Sequence, residues 1–174
     1  GQSIQSPQMG NVDMVFVIDT TGSMGDKIQG LLSTCTKFVD ELATLQLDYQ
    51  VAVVAFGDLT VPGDKIETTP FTNKVESIKT SLQNIPRFSG GGNEGESSLE
   101  ALEKTLALPF RTNTVKVIVL ITDEPALQSR LKAVEMIKLI TKREILVFVV
   151  SPPLDYYKDM AYQNGGQWYQ VAAN

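Results

Sequence analysis

Asp13-Met14-Val15-Phe16-Val17-Ile18-Asp19-Thr20-Thr21-Gly22-Ser23-Met24-Gly25-Asp26 is the stretch whose reading decides the fold. Its first six residues, Asp13 apart, form an apolar run rich in β-branched side chains, without the polar alternation of a half-exposed strand. That marks a strand buried on both faces. The run stops abruptly at oxygen-bearing side chains and glycines. From Asp26 to Thr44 the apolar period becomes helical, through Ile28, Leu31, Leu32, Cys35, Phe38, Val39 and Leu42.

Outward from this unit the same alternation continues. Strands are expected at Tyr49–Phe56, Thr114–Thr122, Ile145–Val150 and Gln167–Val171, with Ile66–Phe71 as a short edge strand limited by Pro70. Helical spacing runs through Val75, Ile78, Leu82 and Ile85, then Leu99, Leu102 and Leu106, then Leu127–Arg143 and Asp155–Gln163. Between the second and third helices lies a glycine loop, Ser89-Gly90-Gly91-Gly92-Asn93-Glu94-Gly95. Alternating strands and helices imply an α/β fold: a doubly wound, mostly parallel sheet with helices on both faces. The expected organisation is a flexible segment over residues 1–11 and a single domain over 12–174. In such sheets ligands sit beyond the carboxyl ends of the strands, here the loops after Ile18, Phe56 and Ile121, together with the glycine loop.

The 174 residues suit one domain, which buries roughly 70% of the surface of the unfolded chain. There is no histidine. That removes the usual general base, the middle member of Ser-His and Cys-His catalytic sets and the commonest zinc ligand. With 15 Lys and Arg against 20 Asp and Glu, the net charge of −5 argues against nucleic acid as a partner. No apolar run is long enough to span a membrane. The lone Cys35 falls on the apolar face of its helix and reads as core; an unpaired cysteine fits a reducing compartment slightly better than an oxidising one.

After the first strand, Asp19, Thr21 and Ser23 alternate, so an extended or gently curved backbone aims three oxygen side chains at one point. Asp123 places a second carboxylate at the same edge of the sheet. Oxygen donors of this kind suit a hard divalent cation, with Mg2+ the best match and Mn2+ or Ca2+ as alternatives, since Mg2+ takes one or two carboxylates and keeps several waters.

Asp19-Thr20-Thr21-Gly22-Ser23, with Asp123 ending a later buried strand, resembles the metal-ion-dependent adhesion site of von Willebrand factor type A domains, whose motif is D-x-[S/T]-x-S. The resemblance runs from about Val12 to Val171. It implies a non-enzymatic protein-interaction module, a monomeric domain of a larger protein or complex. There the metal would be held by Asp19, Thr21, Ser23, Asp123 and a middle-loop residue, and an acidic residue of the partner would complete its shell. The family threonine of the middle loop falls on Asn93, whose amide oxygen is a suitable neutral donor. Glu94 and Glu96 are rivals, supplying either a carboxylate or only a hydrogen bond to a ligand. Gly91 and Gly92 give that loop the freedom that the family links to affinity switching. Glu124 stands where the family usually has glycine, adding rim charge that disfavours acidic partners or favours basic ones.

Blander readings exist for each residue. Asp19, Thr21 and Ser23 are ordinary cap and turn residues, Asp26 suits the first turn of a helix, and Asp58 is a loop residue at the same edge. The stretch Thr20–Lys27 lacks the order of a phosphate-binding loop. A Mg2+-dependent phosphoryl-transfer enzyme of haloacid dehalogenase type, with Asp19 as nucleophile, is the rival from another class, but it needs a second aspartate where Thr21 stands. A structural module with a vestigial metal site is the third reading.

Overall fold

The computed structural model describes residues 10–91 and 94–172. The expected middle-loop donor Asn93 and most of the expected N-terminal segment therefore lie outside the described residues, while Asn11 already opens the first strand. The strands are β1 (Asn11–Asp19), β2 (Asp48–Phe56), β3 (Ile66–Thr68), β4 (Val115–Ile121), β5 (Leu146–Ser151) and β6 (Trp168–Gln170). They form one sheet in the order β3-β2-β1-β4-β5-β6, parallel throughout except for β3, which pairs antiparallel with the end of β2. The helices are α1 (Gly25–Thr44), α2 (Val75–Gln83), α3 (Ser98–Leu106), α4 (Ala133–Lys142) and α5 (Asp155–Tyr162), with a single 3-10 turn over Gly22–Met24 before α1.

Because β1 is central, both faces of it are covered, and its alternate residues feed two cores. Met14, Phe16 and Ile18 pack with Ile28, Leu32, Cys35 and Val39 of α1 and Ile78 and Leu82 of α2. Val15 and Val17 pack on the other face with Leu99 and Leu102 of α3, Met136 and Ile140 of α4 and Met160 of α5. Each wholly buried side chain of this size contributes roughly 1.5–3 kcal/mol, so the sheet centre is the rigid part of the molecule. Cys35 is buried as expected, and desolvation pushes its thiol up to about 12, which makes it inert at neutral pH.

At the amino end of the strands, Asp13 is fully buried. It is matched by Arg111, whose Nε lies 2.8 Å from Asp13 Oδ1 and whose backbone N–H donates to Oδ2. This ion pair pins the α3–β4 connection beneath the sheet, far from the carboxyl edge.

The fourth helix begins later than its apolar spacing predicts, at Ala133 rather than Leu127. The backbone just before it is engaged elsewhere: Ala126 bridges to Glu96, the Leu127 N–H donates to the Glu96 carbonyl, and the Glu96 N–H donates to the Pro125 carbonyl. The Gln128 side chain then accepts from the Ala133 N–H and starts the helix. The middle loop is thereby stitched to the loop after β4.

Among the described residues, one face is left partly open. Along α1, between Leu31, Thr34, Phe38 and Leu42 and the half-buried Val115, Val119, Leu146, Phe148 and Val150 of β4 and β5, runs an apolar groove of about 610 Å³. Tyr169 lines it and is exposed rather than packed, whereas Trp168 is half-buried and donates its indole N–H to Ser151 Oγ.

Candidate functional site

Parallel register brings the chemistry together. Ile18 pairs with Ile121 on one side and Ala55 on the other, so Asp19, Asp123 and Asp58 emerge at the carboxyl ends of three adjacent strands. Asp19 is fully buried. Its Oδ1 accepts from the Thr21 N–H (2.9 Å) and hydroxyl (2.6 Å), and its Oδ2 accepts from the Thr122 hydroxyl (2.7 Å). Desolvation raises its pKa, partly offset by these donors, and the charge of Asp123 pushes the same way as burial. Ser23 is exposed and donates its hydroxyl to Asp123 Oδ1 at 3.0 Å. The Lys27 ammonium lies 3.4 Å from Asp123 Oδ2 and 3.3 Å from the Ser23 carbonyl.

The two hydroxyls therefore do the same thing. Thr21 and Ser23 each give their proton to a carboxylate, leaving oxygen lone pairs for an electrophile. Four of the five expected residues, Asp19, Thr21, Ser23 and Asp123, are joined pairwise in this way; Asn93 is outside the described residues. No group of three or more His, Cys, Asp or Glu side chains among the described residues is arranged to hold a metal.

Among the described residues of the middle loop, Glu96 reaches the site. It is 3% exposed, its Oε2 is buried without a hydrogen-bond partner among the described residues, and its carboxyl is pushed up to about 8. The causes are desolvation first, then the charges of Asp19, Asp58 and Glu124; a hydrogen bond with the Thr21 side chain works against them. Gly90, at φ +63°, lies against both partners: a Cβ there would come 2.7 Å from Thr21 Cβ and 2.8 Å from Glu96 Oε1. Glu94, by contrast, is exposed.

Two contributors escape the motif. Thr122, adjacent to Asp123, clamps the buried oxygen of Asp19. Asp58, read from sequence as a loop residue, is fully buried with Oδ2 unpartnered among the described residues, while its Oδ1 accepts from the Thr60 N–H and hydroxyl. Its position after β2 on the same edge was the available signal. Asp64 organises the loops behind the site: its carboxylate accepts from the Asp58, Ser89 and Gly90 N–H groups, and these bonds hold its pKa below the usual value against the cost of burial.

A family model for the von Willebrand factor type A domain matches residues 13–164. The chain belongs to this family. The alpha-protein kinase vwkA of Dictyostelium discoideum is 25% identical over 116 residues, which are 66% of this chain and 18% of the kinase. Two solved structures of proximal thread matrix protein 1 from the mussel byssus share the type A fold: crystal form 2, with a TM-score of 0.73 at 16% identity, and a form described as having a zinc-occupied metal-ion-dependent adhesion motif, at 0.71 and 18%. Each match covers 94% of this chain but 42% of the mussel protein. The chain thus spans less than half of any of these relatives.

Proposed function

We propose that this type A domain binds a divalent cation at the carboxyl edge of its sheet and uses it to recognise a protein partner, without catalysing a reaction. The observation that carries the reading is the pairing of hydroxyl and carboxylate in Thr21–Asp19 and Ser23–Asp123, which leaves two oxygen atoms turned from proton donation to cation binding. The donors are Asp19, Thr21, Ser23 and Asp123, directly or through water. For the middle-loop donor, the buried Glu96 Oε2, unpartnered among the described residues, supports Glu96, with the Asn93 amide as the alternative. An oxygen-only set of carboxylates, hydroxyls and waters suits Mg2+ best; the zinc in the mussel relative supports a divalent ion at this kind of motif rather than a particular metal.

A partner carboxylate is the natural group for the cation's open position. Glu124, raised by desolvation and by the charges of Asp123, Asp19 and Glu94, stands on the rim and selects against strongly acidic surfaces around that carboxylate. The phosphoryl-transfer alternative is disfavoured because Asp19 is fully buried and Thr21 stands where that chemistry needs a second aspartate.

The test is the melting temperature in EDTA and in saturating Mg2+ or Mn2+. The metal is expected to raise it in wild type, and Asp19→Ala or Asp123→Ala to abolish the rise. Equal melting with and without metal in wild type overturns the reading.

A further inference from the structure

Lys27 is placed against the ordinary preference of a helix. It lies in the first turn of α1, where the aligned peptide dipoles disfavour a positive charge. Yet its side chain is only 9% exposed, and its ammonium is drawn in between the Ser23 carbonyl and Asp123 Oδ2, a carboxylate itself 7% exposed. The explanation is the charge it meets. Asp19, Asp123, Glu96 and Glu124 share this edge as like charges, and Lys27 sets a positive charge against Asp123 among them.

We propose that Lys27 is a built-in counter-ion that competes with the divalent cation for Asp123, holding the metal-free site together and weakening metal affinity. This rests on the metal reading above. A cation entering between Ser23 and Asp123 meets a second positive charge at short range and must take over the Asp123 oxygen that Lys27 holds. Lys27 then sets the metal concentration at which the partner-binding surface forms, so it is a positioning residue that tunes the site rather than a ligand.

The experiment compares wild type, Lys27→Met and Lys27→Arg by calorimetric titration with Mg2+ and by melting in EDTA and in saturating Mg2+. Lys27→Met is expected to bind Mg2+ about tenfold more tightly, which corresponds to about 1.4 kcal/mol. It should melt below wild type in EDTA and reach or pass it in Mg2+, a crossing that a purely structural lysine does not produce. Lys27→Arg, which keeps the charge, should stay within about twofold of wild type. Mg2+ binding by Lys27→Met that equals or falls below that of wild type overturns the counter-ion role alone. Absence of metal binding in both wild type and Lys27→Met overturns the metal reading and this inference together. Binding by Lys27→Met but not by wild type supports both.

Discussion

Glu96→Gln separates a carboxyl kept for a ligand from one that merely packs. The substitution keeps the shape and removes the charge. In the folded protein without metal, Glu96 titrates near 8 instead of its ordinary 4.5. The folded state therefore holds a proton that the unfolded state has released, and the unfavourable contribution begins above about pH 4.5 and grows until about pH 8. For a wholly enclosed carboxyl, going from about pH 5 to about pH 7 would cost roughly 2.5 kcal/mol. Relaxation of the surroundings on ionisation offsets part of this, so about 1 kcal/mol is expected. Asp19 and Glu124 are raised as well and contribute with the same sign, so the quantity to read is the difference between wild type and variant. Urea unfolding in EDTA across this range should show Glu96→Gln gaining on wild type as pH rises. In saturating Mg2+ the order should reverse, because the metal stabilises the ionised carboxylate that glutamine lacks. Parallel stability profiles in EDTA would show that the carboxyl carries no such cost, and the argument for it as the middle-loop donor would fail.

Gly166→Ala should destabilise the chain by about 3 kcal/mol or more, since a Cβ at Gly166 overlaps the Val147 carbonyl of the β5 backbone; chemical denaturation checks this, and a loss under about 1 kcal/mol would refute it. Gly90→Ala meets Thr21 and Glu96 at a positive φ, so it should weaken Mg2+ binding about tenfold or more in titration while leaving the far end of the sheet, read by amide exchange in β1, largely unchanged.

The central strands were legible because the runs in β1, β2, β4 and β5 are apolar on both faces, and no amphipathic helix has that pattern. The place of Asp19 was legible for a related reason: it ends such a run at the carboxyl edge of the sheet. The start of α4 was not, because Leu127 and Leu131 keep helical spacing while the 126–127 backbone bonds to the middle loop, a contact between distant segments. The middle-loop donor was harder still. Gly90, Gly91 and Gly95 all take positive φ, so counting residues back from Leu99 does not fix which side chain turns inward. Burial of Glu96 beside Thr21 depends on that path. Asp58 was undervalued because its neighbours Gly57 and Leu59 give no periodic signal, and only the parallel register of β2 with β1 brings it to the site.

The open groove along α1 bears on how all these measurements are made. Its volume falls within the range of ordinary small-molecule sites, and its lining is almost wholly apolar. A fluorescent dye that lights up on apolar surfaces will find a home in the native fold, giving a bright signal that is usually taken for a loosely packed state. On heating, that signal starts high and can fall as the groove is lost, the reverse of the usual melt curve. Circular dichroism, or the emission of Trp168, the single tryptophan, half-buried on β6, is the sounder reporter.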